Sequence, residues 1–150
     1  MKDTEALKKV IKDLFTLEKL AVIATQKDGQ PFTNLVAFVA TDDLKHLLFV
    51  TNRATRKYAR LMVDPRVSMM IDNRQNQASD FRDATAVAAL GKAAEVKGPE
   101  RADLMKLYLS KHPHLKAFAT APTCALIKLK VDRYDIVRRF QNVVDLWMTP

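Results

Sequence analysis

Apolar residues recur at helical spacing near the start of the chain. Leu7, Val10, Ile11, Leu14 and Phe15 stand at i, i+3, i+4, i+7 and i+8, one buried stripe of an amphipathic helix whose start Asp3 or Thr4 can cap. The period then shortens. Residues 20–26, LAVIATQ, form a β-rich run that ends at Lys27-Asp28-Gly29-Gln30, and Asp-Gly tolerates the positive φ of a tight hairpin. Residues 32–41 therefore read as the returning strand, 42–45 as a second turn and 46–51 as a third strand. Strands joined by turns this short are antiparallel neighbours, because a parallel pairing needs a long crossover.

Residues 55–63 suit a short helix with Tyr58, Leu61 and Met62 inward, stopped by Asp64-Pro65. A strand over 66–72 precedes a polar stretch, 73–83, that has no strong period. The long apolar run 84–96 reads as a strand with Gly91 at a bend or bulge, although its alanines make helix the competing assignment. Pro99 suits the first turn of a helix reaching Lys111, which His112-Pro113-His114 breaks before a short helical turn to Ala119. Residues 124–131 alternate as a strand with one wet face, 134–140 read as a further strand, and 143–150 form an apolar tail. With about seven strands, two main helices, no repeat and no linker, residues 1–150 are expected to form one mainly β domain, an antiparallel barrel with helical decoration.

Composition narrows the class. A chain that is 48% hydrophobic and 28% charged is globular, and 150 residues suffice for one core. No run approaches the ~18 apolar residues of a membrane span, and the charged N-terminus lacks the apolar centre of a signal peptide, so a cytoplasmic protein without membrane partners is expected. Cys124 stands alone, which excludes an internal disulfide and a thiolate metal cluster and suits a small core residue. His46, His112 and His114 show no metal spacing; the last two flank a proline at a helix end, where a cap or surface role is expected. The net charge of +8 suits an anionic partner. The charges lie in separate groups (Lys8, Lys9, Lys12; Arg53, Arg56, Lys57; Arg133, Arg138, Arg139) without the aromatic interleaving of a base-stacking surface, which argues against nucleic acid.

The chemically informative segment is 48–57, LFVTNRATRK. An apolar strand delivers the chain into a polar turn that opens a helix, where free N–H groups and the positive end of the dipole favour an anion. Thr55 supplies a hydroxyl, Arg56 a planar guanidinium and Lys57 a compact charge. Arg53 either assists or points to solvent.

The order of these motifs resembles the pyridoxamine 5′-phosphate oxidase-related family of FMN-binding split barrels. Val50-Thr51, Thr55-Arg56-Lys57, Asp64-Pro65-Arg66-Val67-Ser68 and Gly91-Lys92-Ala93 stand in the family's order and spacing, covering residues 20–96 well and the C-terminal strands loosely. The resemblance implies a split β-barrel in which Thr55, Arg56 and Lys57 meet the FMN phosphate and Val50 and Thr51 lie beside the ribityl chain. It places Asn34, Leu35 and Val36 along the flavin ring, offering backbone donors and acceptors to its polar edge. The chain also departs from the pattern. Positions at Asn34 and near Val39 that are basic in the true oxidases are uncharged here, Ala86 stands near a flavin-contacting glutamine, and their C-terminal substrate segment is not recognisable. The flavin site is retained on this reading and the vitamin-B6 site is not.

Two functions follow from the resemblance. One is an FMN-dependent oxidoreductase fed by a nicotinamide or other small electron donor; the other is a non-catalytic carrier or sensor of flavin, deazaflavin or haem. A homodimer is expected, with the flavin between subunits, because Met69, Met70, Val87, Leu90, Val143, Val144, Leu146 and Trp147 exceed what one small barrel interior needs. The amides of residues 73–77 and the Trp147 ring are candidates to reach the cofactor across that interface.

Overall fold

Asp28 and Gly29 both take positive φ, 52° and 80°, and so fold β1 (Leu20–Lys27) back onto β2 (Gln30–Ala40) in register from Leu20↔Ala37 to Lys27↔Gln30. This computed structural model describes residues 2–139 and 142–148, so the expected strand end at Phe140 and the last two residues of the tail lie outside the described residues. After the hairpin come β3 (His46–Asn52), α2 (Arg56–Val63), β4 (Arg66–Asp72), the one-turn α3 (Asp80–Asp83) within the polar stretch, and β5 (Thr85–Glu95). The C-terminal part holds α4 (Glu100–Lys111), a 3-10 turn (Pro113–Leu115), α5 (Lys116–Ala119), β6 (Cys124–Arg138) and β7 (Asn142–Trp147); α1 (Lys2–Leu17) precedes them all. Since α1 already includes Lys2, Asp3 and Thr4 lie within its first turn rather than capping it, and Asp3 and Glu5 complement the helix dipole instead.

The strands run β3-β2-β1-β4-β5-β6, and pairing of β3 with β6 closes them into a six-stranded antiparallel barrel. The break in alternation at Asp132, which suggests two strands, is a bulge in one continuous fifteen-residue strand: Gly91 pairs with Val131 and Leu90 with Arg133, leaving Asp132 as the extra residue. One edge of β6 pairs with β3 over Cys124–Lys130 and then with β7 over Arg133–Arg138. The apolar tail is thus a seventh strand. Its alternation is hidden in the sequence because Val143 and Trp147, on the outward face, are apolar too.

Ile23, Phe38, Phe49, Met69, Val87, Ile127 and Tyr134 fill the barrel, which Ile11, Leu14 and Phe15 of α1 and Leu61 of α2 close. Tyr58 packs partly against this core, whereas Met62 turns outward. A second apolar layer lies outside the wall, where Val39, Leu48, Val50 and Leu126 meet Met105 and Tyr108 of α4 and the buried Cys124. Polar contacts fasten α4 over this wall. The Tyr108 hydroxyl donates to the Ala37 carbonyl at 3.1 Å, and Lys111 Nζ donates to the Phe15 and Glu18 carbonyls at 2.7 Å. Of the two roles expected for His112, the structure shows the cap: it ends α4 and is buried rather than on the surface, with Nε2 2.7 Å from the Phe38 carbonyl. Burial pushes its pKa down, so the ring is the neutral tautomer that donates through Nε2. His114 is exposed, as expected. No helix among the described residues is long and apolar enough to cross a membrane.

Candidate functional site

The β2–β3 ladder stops at Phe38↔Phe49. Beyond it Val50, Thr51 and Asn52 pair only with β6, and Asn34, Leu35 and Val36 pair only with β1, which leaves an opening in the barrel wall between the two segments. Side chains around the opening diverge. Val36 points into the barrel core and Val50 into the layer under α4, so both present only backbone to the opening, while Asn34 and Leu35 are exposed. Thr51 is buried at its foot.

The turn after Thr51 is built by side-chain hydrogen bonds. Asn52 Oδ1 accepts from the Ala54 N–H at 2.8 Å, and the Asn52 carbonyl accepts from the Thr55 N–H and hydroxyl at 3.1 and 2.8 Å. Thr55 is the N-cap of α2: its Oγ1 accepts from the Tyr58 N–H at 3.2 Å and lies 3.1 Å from Thr51 Oγ1. Arg53 is exposed, yet its guanidinium is engaged within the chain. Its guanidinium donates to the Glu95 carboxylate at 2.7 Å and to the Pro122 carbonyl at 2.9 Å, and its N–H donates to the Thr123 carbonyl at 3.0 Å. Tyr58 donates to the other oxygen of Glu95 at 2.6 Å. Arg53, with Tyr58 beside it, holds the Glu95 carboxyl below its usual range.

The next two cations are different. Neither Arg56 nor Lys57 has a carboxylate partner among the described residues, and their backbone N–H groups, at the first two positions of α2, have no acceptor. Lys57 is half-buried, and desolvation lowers its pKa with no acid nearby to offset it. A helix start with two free N–H groups and two unneutralised cations fits a phosphate. Arg56 also faces a hollow of about 390 Å³ that it shares with Lys27, Phe32, Ala59, Arg60 and Val63. The Arg60 guanidinium lies 3.6 Å above the Phe32 ring.

The other candidates lie elsewhere. The loop over residues 73–77 is exposed and bound to its own helix, the N–H groups of Gln75 and Gln77 donating to Asp80, and it faces α1 across a hollow lined by Val10 and Leu14. Trp147, 64% exposed, lies 5.3 Å from the Arg133 guanidinium and borders a second hollow with Lys8, Lys12 and Leu44. Sequence reasoning missed the Glu95 anchor, which carries no local signal. Arg60 was detectable, since it stands one helical turn after Arg56 on the same face. Among the described residues no group of three or more His, Cys, Asp or Glu residues can hold a metal.

A closed antiparallel barrel with a split between two of its strands and a basic helix start at the split defines the split-barrel class of proteins. The family described as pyridoxamine 5′-phosphate oxidase matches residues 7–138, and the chain belongs to that family. Solved structures share the fold. A haem-binding protein from Mycobacterium smegmatis aligns with TM-score 0.79 at 17% identity over 89% of this chain and 55% of that one, so the chain spans little more than half that protein. General Stress Protein 26 from Bacillus anthracis aligns with TM-score 0.74 at 19% identity, covering 95% of this chain and 98% of the other. A FAD-binding protein from Mesorhizobium loti aligns with TM-score 0.67 at 17% identity over 83% and 89% of the two chains. No curated protein matches the sequence.

Proposed function

We propose that the chain is an FMN-binding flavoprotein that works as a cytoplasmic oxidoreductase with a nicotinamide electron donor. The observation that carries the reading is the pair of unneutralised cations, Arg56 and Lys57, at a helix start whose first two N–H groups have no acceptor. Family membership and the FAD-binding relative in fold support a flavin as the anion's bearer. Bound FMN supplies hydride and electron transfer. The chain's own part is to bind and orient: Thr55, Arg56 and Lys57 hold the phosphate, Val50 and Thr51 flank the ribityl chain, and the unpaired edge of Asn34, Leu35 and Val36 meets the polar rim of the ring. Fluorescence quenching should show FMN binding near one per chain and at least about tenfold tighter than riboflavin, which lacks the phosphate. Equal affinities would remove the phosphate from this turn. A Soret band in the purified protein, in place of a flavin spectrum, would favour haem.

The same reading makes the protein a homodimer. Met69 and Val87 lie in the barrel interior and Leu146 is buried against the same core, so they add nothing to a surface surplus. The outer wall, however, carries an apolar row set by strand register, Leu35 opposite Val22, Val22 opposite Met70 and Met70 opposite Ala88, with Leu35 65% exposed. This row adjoins the opening through Leu35, so a two-fold contact across it buries the row against its own copy and covers the ring. Light scattering should report twice the chain mass of 17.0 kDa; a value at the monomer mass overturns the dimer.

A further inference from the structure

The hollow beside the anion turn has a chemistry of its own. Arg56, Ala59, Arg60 and Val63 form the i, i+3, i+4, i+7 face of α2, and that face meets the β1–β2 hairpin at Lys27 and Phe32. The walls are apolar apart from the three cations Lys27, Arg56 and Arg60, none of which has an acidic partner among the described residues. The neighbouring carboxylate, Asp64, is occupied: Arg66 binds both its oxygens, at 3.0 and 2.7 Å, and the Gln26 amide donates to it as well. Three like charges around a hollow of about 390 Å³ create a positive potential that an anion relieves, and the size lies within the range of small-molecule sites. The Arg60 guanidinium stacked on Phe32 is a flat surface of the kind on which heterocyclic bases stack. Arg56 belongs both to the helix start and to the hollow, so the two adjoin.

We propose that this hollow takes the adenosine-phosphate half of a flavin dinucleotide, so that the chain holds FAD more tightly than FMN. The inference rests on the flavin-phosphate reading of the turn. With the first phosphate at Thr55, Arg56 and Lys57, the second phosphate of the pyrophosphate meets Lys27 and Arg60, and adenine lies on the Arg60–Phe32 stack.

Titrations with FMN and FAD, followed by flavin fluorescence, test this. FAD should bind at least about tenfold more tightly than FMN, the effect expected of one or two charge-assisted contacts. The double variant Lys27→Gln, Arg60→Gln should lose that advantage while its FMN affinity stays within about twofold; Lys27→Gln alone, at the exposed hairpin end, should lose part of it without touching the stack. Circular dichroism checks that both variants are folded. Equal affinity for the two flavins overturns the proposal, as does an advantage that survives both substitutions. NADPH binding to FMN-loaded protein through Lys27 and Arg60, without a preference for FAD, assigns the hollow to the electron donor and also overturns it. If neither flavin binds, the turn's assignment fails and this inference with it, an outcome distinct from FMN binding with no FAD preference.

Discussion

Replacing Arg56 and Lys57 together with alanine should weaken FMN binding by about two powers of ten or more. Each charge-assisted hydrogen bond to a phosphate is worth about 1.5–3 kcal/mol, and about 1.4 kcal/mol is one power of ten. The fold should persist, because neither side chain takes part in an ion pair and both stand apart from the buried core. The elements that shape the turn remain: the Thr55 cap, the Thr51–Thr55 hydroxyl contact, and Arg53 and Tyr58 on Glu95. Within the pair, Lys57 should account for more of the loss, since its half-buried charge is less screened than that of exposed Arg56. Flavin titration together with a melting curve measures both halves of this expectation. A variant that melts normally and binds FMN as before would show that the phosphate sits elsewhere.

Gly91→Ala should be among the most damaging single substitutions in the chain. A Cβ there would lie 1.9 Å from the Lys130 carbonyl oxygen and 2.9 Å from its carbon. Both atoms belong to the backbone of β6, at the bulge where β5 and β6 change register, so no side chain can swing aside. Relief requires the two longest-paired strands of the barrel to part, and a loss of at least about 3 kcal/mol is expected. Gly29→Ala is the control. Its site is open but its φ is +80°, so only backbone strain of about 1 kcal/mol opposes the methyl. Urea denaturation of the two variants should separate them clearly, and a Gly91→Ala protein as stable as the parent would overturn the steric argument.

Local patterns account for what the sequence disclosed. The β1–β2 hairpin followed from Asp28-Gly29, the α2 start from the Thr55 side-chain cap and its stop from Asp64-Pro65, and the bulge from Gly91, whose missing Cβ admits the Lys130 carbonyl. The family resemblance drew on the same short segments, and the barrel it implied is the one observed. Long-range partnerships explain the misses. β7 hid behind its outward Val143 and Trp147, β6 was split because the bulge at Asp132 mimics a strand end, and His112, a helix-end cap as expected, is buried because of a Phe38 carbonyl that nothing beside it in sequence announces. At the candidate site, the residues proposed to hold an anion all lie within 48–57, while Glu95, which pairs with Arg53, lies forty-two residues away and came only with the fold.

The closing of the barrel by β6 has a bearing on how the protein is made. Every group proposed to touch the phosphate is synthesised within the first 57 residues, yet the turn that presents them is held by Pro122 and Thr123, and β3 gains its second neighbour only with Cys124–Lys130. A nascent chain emerging from the ribosome therefore carries the charges of the site long before it carries the site, with the edge of β3 open to mispairing in the interval. Capture of the proposed flavin would then report completion: only a chain that has delivered its sixth strand would retain the ligand, and the ligand in turn would favour the closed barrel over unclosed forms.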